Sequence, residues 1–398
     1  MKNPDLSLSV PFSFEDTSIA FSYKSDNELR KSYRLFQLLS NKTLSDFGAW
    51  IMNASIKAGL PVTGIVKATT FDQFCGGETI GECFKTVEQL WEYRIGTILD
   101  YSVEGERTKT GFERTKEEII KTIENSAGEE KIPFCVFKVT GLGSSEILVK
   151  VQSGLNLTKE EEINYQELKV RVLEICETAY KNNVRILIDA EESWIQNPVD
   201  ELALDMMRRF NREKGIVYNT YQMYRADMLE NLNVHHQIAV DNNHFLGVKL
   251  VRGAYMEKER ERAEEMSYKD PIQPSKESTD SDFNTALKFC VEHGDRIYLV
   301  SGTHNEYSNY YLSVLMDENK LDKGDERFFF AQLYGMSDNI SFNLAHQGYN
   351  VAKYVPYGPI KKVMPYLTRR AEENTSISGQ TSRELTLLKK EMTRRFGC

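Results

Sequence analysis

Eight short runs rich in Val, Ile, Leu, Phe and Tyr punctuate the chain: Gly96–Ser102, Phe134–Thr140, Val184–Asp189, Val217–Gln222, Gly247–Val251, Ile297–Ser301, Arg327–Leu333 and Val351–Val355. Several are almost continuously apolar. That is the pattern of parallel strands covered on both faces, whereas a strand with one wet face alternates. Each run is followed by a charged, helix-forming stretch, and most starts lie about 30 to 50 residues apart, which leaves room for a helix in every gap. Repeated strand–helix units of this number predict a closed (β/α)₈ TIM-type barrel in the α/β class. Ahead of them, residues 27–60 read as helical, with Leu35, Leu39, Leu44, Phe47, Trp50 and Ile51 at mixed helical spacing and a stop at Gly59-Leu60-Pro61. The expected organisation is an N-terminal helical arm over residues 1–66 and a barrel over residues 67–398.

Polar residues recur where the apolar runs end. Tyr101, Lys138, Asp189, Asn219, Gln222, Lys249, Thr303, His304, Gln332 and Tyr354 all stand at or just past a C-terminal strand end. A barrel of this class builds its active site on that rim, so the fold would gather these residues. No low-complexity segment, internal repeat or Gly/Ser linker marks a second domain.

Composition narrows the partners. A formal charge of −9 and a pI near 5.4 argue against nucleic-acid binding, which needs a basic face. The six cysteines are scattered with no CxxC pair, so they read as free thiols in a reducing compartment. The first residues, MKNPDLSLSVPFSFED, carry neither the apolar core of a signal peptide nor the Arg-rich character of a transit peptide. No stretch approaches the roughly 20 apolar residues that span a bilayer, so any membrane contact is expected to be peripheral.

Four windows carry candidate chemistry. In Tyr366-Leu-Thr-Arg369-Arg370-Ala-Glu-Glu373-Asn374, helical spacing puts Tyr366, Arg369, Arg370 and Glu373 on one face. Two guanidinium forks suit a small carboxylate, although such a face also serves as a solvated surface or a structural ion pair. The window Gly247–Tyr255 ends a buried strand on Lys249 and continues into Arg252-Gly253-Ala254. Its glycine permits either close approach of a planar cofactor or a tight turn. Asp189 ends another strand, where a buried carboxylate must find a partner, and the Glu191-Glu192 run after it can be a simple helix start. Thr303-His304 follows a third strand; the histidine could be a base, a cofactor contact or a satisfied structural residue. His235-His236 has no carboxylate or cysteine at ligand spacing, so no metal site is assigned. Neither a Walker-type loop nor a GxGxxG fingerprint occurs.

Taken in order, FDQFCGGE at 71–78, LDYSVEGE at 99–106, VFKVTGL at 136–142, LIDAEES at 187–193, VYNTYQ at 217–222, VKLVRGAY at 248–255, SGTHN at 301–305, QLYGMSD at 332–338, KYVPYGP at 353–359 and YLTRRAEEN at 366–374 resemble the proline dehydrogenase family. VKLVRGAY and QLYGM look closer to its monofunctional, mitochondrial-type branch than to the long bifunctional bacterial enzymes. The resemblance implies a barrel that uses FAD to oxidise L-proline to Δ1-pyrroline-5-carboxylate and passes the electrons to a membrane quinone. It implies that Lys138, Arg369 and Arg370 hold the proline carboxylate, and that Leu250, Tyr255, Leu333, Tyr354 and Tyr366 wall its ring. FAD contacts are implied for Ala190, Asn219, Lys249, Arg252, Gly253, Ala254, Lys276, Thr303, His304 and Glu373. Asp189 and Lys249 are the implied catalytic pair, and Glu106 resembles an acidic residue that pairs with Arg369 to gate the pocket. Where the bifunctional enzymes carry Arg and Gln beside the flavin, this chain is read as having Lys249 and Asn219. Tyr354 is a bulky residue where hydroxyproline-preferring relatives look to have a smaller one.

Location would then be cytoplasmic at the inner face of a membrane, or the mitochondrial matrix side in a eukaryote. Two rival readings stand beside this one. Another flavin barrel, such as a methylenetetrahydrofolate reductase-like enzyme, leaves the Arg pair unexplained, and a non-catalytic binding barrel does not need Asp189, Lys249, Thr303-His304 and the Arg pair together.

Overall fold

A computed structural model describes residues 10–39, 70–102, 106–376 and 380–397, with the side chains of 371–376 and 380–382 excepted. Eight parallel strands close in sequence order: β1 (Ile95–Tyr101), β2 (Phe134–Lys138), β3 (Arg185–Asp189), β4 (Val217–Gln222), β5 (Leu246–Val251), β6 (Ile297–Gly302), β7 (Phe328–Leu333) and β8 (Val351–Tyr357). Every expected strand is present within about two residues. The main differences are at β2, where Val139–Gly141 turns into a single 3₁₀ turn, and at β8, which runs on to Tyr357.

The labelled helices are α1 (Thr17–Ala20), α2 (Asp26–Leu39), α3 (Ile80–Trp91), α4 (Lys109–Ser126), α5 (Ser145–Gln152), α6 (Lys159–Lys181) and α7 (Ser193–Phe210). They continue with α8 (Met228–Asp241), α9 (Met256–Glu265), α10 (Lys276–Glu292), α11 (Glu306–Glu318), α12 (Asp338–His346), α13 (Ile360–Ser376) and α14 (Gln380–Phe396). Polar side chains start several of them by satisfying first-turn N–H groups that have no helical acceptor. Thr158 and Glu161 form a reciprocal capping box on α6, and Thr108, Ser275 and Asn305 cap α4, α10 and α11. The expected helix over 27–60 is realised as α2 up to Leu39, and residues 40–60 lie outside the described residues.

The chain divides into two compact units, residues 105–331 and residues 11–104 with 332–398. In the first, strand register decides which side chains share a face, because residues paired in a parallel sheet point the same way. Lys138 pairs with Asp189, and Thr220 with Lys249, which pairs in turn with Val300. Ile188 pairs with Asn219, which pairs with Val248. The second set looks outward, since Asn219 bonds Asp200 on α7 and the neighbouring Tyr221 hydroxyl bonds His235 on α8. Lys138, Asp189, Thr220 and Lys249 therefore face the barrel interior. At the other end of the strands the interior is filled by Phe134, whose ring meets Tyr218 at 5.4 Å and Phe329 at 4.9 Å, both edge-on. That end is packed, so the interior is a core and the strands' C-terminal ends are left for chemistry.

In the second unit α1 and α2 pack beside α12, α13 and α14, with Phe36, Phe74, Val363, Leu367, Leu387 and Leu388 in one buried cluster. Under it lies a group of buried charges. Lys353 Nζ of β8 stands 2.9 Å from Asp338 Oδ1 at the start of α12, and the Tyr23 hydroxyl donates to Asp338 Oδ2 at 2.6 Å. Lys24 approaches the same carboxylate at 4.0 Å, while Glu384 of α14 accepts from the Ser337 backbone N–H. Charges this deep persist only when compensated, and here two ammonium groups meet two carboxyl groups.

Candidate active site

The C-terminal ends of β2, β3 and β5 bring three charged side chains together. Lys249 Nζ donates to Asp189 Oδ1 at 2.5 Å, and Lys138 Nζ lies 3.8 Å from Asp189 Oδ2. All three side chains are largely buried, at 8%, 12% and 18% exposure for Lys249, Asp189 and Lys138. Asp189 thus stands as a carboxylate between two buried ammonium groups at the rim.

The loop after Asp189 is fixed from both sides. Glu191 accepts from the Thr140 N–H at 3.0 Å and from the Thr140 hydroxyl, so the segment just past Lys138 is tied to the segment just past Asp189. Burial pushes the Glu191 carboxyl up to about 7, against the hydrogen bonds from Thr140. Ala190 is buried between them. Gln222 of β4 donates to the Glu191 carbonyl at 2.7 Å and accepts from the Ala254 N–H at 3.4 Å, bridging the β3 and β5 loops.

Arg252, just beyond β5, is held by Asp280 of α10 at 2.7 Å, by the Thr303 hydroxyl at 2.5 Å and by Ser308 of α11 at 3.0 Å. Its guanidinium stacks 4.4 Å from the Phe283 ring centroid. Lys276, at the first position of α10, pairs with the same Asp280 at 2.5 Å. Burial alone would raise the Asp280 carboxyl, but the hydrogen bond from Lys276 and the charge of Arg252 outweigh it and hold it below its usual range. Gly253 has φ +136°, and a Cβ there would lie 2.4 Å from the Tyr224 ring. Both facts require glycine at this turn.

In the second unit, Tyr366 and Arg370 occupy one face of α13 one turn apart, with the Arg370 guanidinium 5.1 Å from the Tyr366 ring centroid. Both are buried, and Arg369 is half-buried. Leu333 packs against the cluster that contains Tyr366. Tyr354 is buried on β8, opposite in direction to Lys353.

The proline dehydrogenase family model matches residues 83–383. The chain belongs to the proline dehydrogenase family. It is an oxidoreductase that acts on proline. Proline dehydrogenase 1, mitochondrial, of Dictyostelium discoideum is 33% identical to it, covering 96% of this chain and 75% of the relative. The carbapenem antibiotics biosynthesis protein CarD of Pectobacterium carotovorum subsp. carotovorum is 37% identical over 81% of this chain and 84% of its own length. Among solved structures, proline utilization A from Bdellovibrio bacteriovorus superposes with a TM-score of 0.71 at 19% identity. That match covers 94% of this chain, which spans 40% of the larger protein.

Within this proline dehydrogenase framework the sequence-derived site residues fall into groups. Lys138, Asp189, Ala190 and Lys249 come together in the first unit, and Arg252, Gly253, Ala254, Lys276 and Thr303 line the adjoining strand ends. Tyr255 precedes α9 with Lys258 Nζ 5.8 Å from its ring centroid, and His304 is half-buried ahead of α11. Leu333, Tyr354, Tyr366, Arg369 and Arg370 belong to the second unit.

Strand facing bears on two of the expected contacts. Asn219, expected at the flavin ring, is on the helix-facing side of β4 and bonds Asp200 at 2.7 Å. Leu250, expected at the substrate ring, is paired with Tyr221 and shares that outward face. On β4 it is Gln222 that shares the inward face with Thr220, and two-residue strand periodicity is the signal that separates it from Asn219. Glu106, expected to gate the site, accepts from Thr108 and pairs with Arg114 at 3.2 Å. The side chain of Glu373 lies outside the described residues. Glu191 has the composition of a helix start, yet it is buried and Glu192 takes the N-cap position of α7.

Proposed function

We propose that this enzyme oxidises L-proline to Δ1-pyrroline-5-carboxylate with FAD as its cofactor and a membrane quinone as final acceptor. The observation that carries the reading is the Lys138–Asp189–Lys249 group at the barrel's strand ends, which combines buried, fixed ammonium donors with one carboxylate. Proline has no leaving group, so breaking its C5–H bond requires a two-electron acceptor, which FAD supplies at N5 by taking a hydride.

The residues suit that cofactor. Asp280 balances only one of its two cations, Arg252 and Lys276, which leaves a positive charge for a phosphate. The Lys249 ammonium and the amide of Gln222 offer donors to the polar edge of a flavin ring. Lys249 is thereby shared between Asp189 and the cofactor, and Asp189 fixes its direction.

Substrate roles go to side chains by their chemistry. Lys138, Arg369 and Arg370 are assigned to the carboxylate of proline, and Tyr354, Tyr366, Tyr255 and Leu333 to its ring. Holding the carboxylate at several points while aromatic walls restrict the ring converts a loose encounter into a reactive orientation. Among the described residues no helix is long and apolar enough to cross a membrane. Electron transfer to a quinone is assigned to a peripheral contact.

The deciding experiment is anaerobic addition of proline to the purified protein while flavin absorbance is followed. Bleaching of a yellow protein by proline is the expected result. A colourless protein that binds no FAD would overturn the cofactor assignment, and a yellow protein that proline leaves unbleached would overturn the substrate assignment.

A further inference from the structure

Tyr354 stands on β8 directly after Lys353, a lysine whose side chain is 0% exposed. Burying an ammonium group carries a desolvation cost that an apolar residue of similar volume would avoid. The contacts of Lys353 indicate what that cost maintains. Its Nζ meets the Asp338 carboxylate at 2.9 Å, the Met336 carbonyl at 2.6 Å and the Leu333 carbonyl at 3.5 Å. The last two acceptors belong to the turn that leaves β7. In the same place the Tyr334 N–H donates to the Tyr354 carbonyl at 2.9 Å.

Leu333 and Tyr354 are thus joined through one buried ammonium and one backbone hydrogen bond, and the turn between them cannot shift without leaving charged or polar groups unsatisfied. Asp338 is itself restrained by the Tyr23 hydroxyl at 2.6 Å, so the anchor of Lys353 is fixed from the turn between α1 and α2. Strand alternation sends the Tyr354 side chain away from this cluster, so Lys353 acts on it through the β8 backbone.

We infer that Lys353 is a positioning residue that sets the separation of Leu333 and Tyr354 and so determines how strongly the enzyme prefers an unsubstituted proline ring to a 4-hydroxylated one. This rests on the assignment of Leu333 and Tyr354 to the ring walls. With the ammonium gone, the Leu333–Met336 turn loses its tie to β8, the two walls separate, and space opens where a hydroxyl on the ring would otherwise clash.

The test compares Lys353→Met with Lys24→Met and Tyr354→Ser in the full-length holoenzyme. Lys24→Met removes the other cation facing Asp338, at 4.0 Å, and serves as the control for charge loss alone. Lys353→Met is expected to raise KM for proline about tenfold with kcat changed less than about threefold, and to narrow the proline to trans-4-hydroxyproline ratio of kcat/KM about tenfold. Lys24→Met should lower thermal stability yet leave KM and that ratio as in the parent. An unchanged ratio in Lys353→Met, or an equal shift in Lys24→Met, overturns the inference. If Tyr354→Ser also leaves the ratio unchanged, the ring-wall assignment is what has failed; if only Tyr354→Ser shifts it, the assignment stands and the positioning role does not. Should Lys353→Met alone not fold, the double variant Lys353→Met/Asp338→Leu removes both members of the pair and carries the same expectations.

Discussion

Asp189 lies between two lysines, 2.5 Å from Lys249 Nζ and 3.8 Å from Lys138 Nζ, with its side chain 12% exposed. The carboxylate compensates two ammonium groups that would otherwise repel one another in a poorly solvated place. Asp189→Ala is therefore expected to cost about 3–5 kcal/mol of stability, the range for breaking a buried ion pair by removing one partner. Asp189→Asn keeps the shape and an acceptor oxygen, so it should fold better while still releasing Lys249 from its fixed direction. For that variant kcat/KM for proline should fall about a hundredfold, as expected when a reacting geometry loosens by about 1 Å. Thermal denaturation and steady-state kinetics of the two variants check this; parental kinetics in Asp189→Asn would remove the residue from the site.

The barrel was legible in the sequence because buried parallel strands write long apolar runs, and all eight appeared where Val, Ile and Phe cluster. Lys138 and Asp189 each close such a run and Lys249 lies two residues before the end of another, so their gathering at one rim was legible in position. Facing was harder to read in a fully buried strand. Both faces of β4 are buried, so VYNTYQ carries no wet-side alternation, and Asn219 and Gln222 look equivalent until register with Lys249 separates them. Glu191 was missed for a related reason: an acidic residue before a helix has the composition of a cap, and only its bonds to Thr140 show it to be buried.

The separation of Asn219 from Gln222 gives a direct comparison. Asn219→Ala removes a hydrogen bond from Asp200, whose carboxyl burial has already raised to about 6, and should cost about 1–3 kcal/mol. It should leave the visible flavin spectrum unchanged. Gln222→Ala instead opens the bridge between the Glu191 carbonyl and the Ala254 N–H, and is expected to shift that spectrum and weaken FAD retention about tenfold. If instead Asn219→Ala disturbed the spectrum and Gln222→Ala did not, the strand-face assignment would be reversed.

Arg370 is buried against the Tyr366 ring, which limits its freedom and preorganises its planar fork. A charged hydrogen bond is worth about 1.5–3 kcal/mol, so Arg370→Ala should weaken proline binding roughly ten- to a hundredfold. Arg370→Lys keeps the charge without the fork and should fall between the two. Proline titrations of the oxidised protein measure the effect, and a change below about twofold in Arg370→Ala would assign the guanidinium a purely structural role.

Glu384 ties stability to pH. Burial, followed by the charge of Asp338, raises its carboxyl to about 7 from 4.5, while the Ser337 N–H, Lys353 and Lys24 act in the opposite direction. A folded-state value above the unfolded one means that the native protein holds a proton the unfolded chain has already released. The associated stability is fully present below pH 4.5 and is lost as pH rises through about 7. Glu191, raised to about 7, and Asp200, raised to about 6, have the same sign, so the parent protein should lose stability across this interval. Glu384→Gln keeps an acceptor for the Ser337 N–H but cannot ionise. Its melting temperature relative to the parent should therefore rise between about pH 5 and pH 8. A difference between the two proteins that stays constant across that range would show that Glu384 does not titrate there.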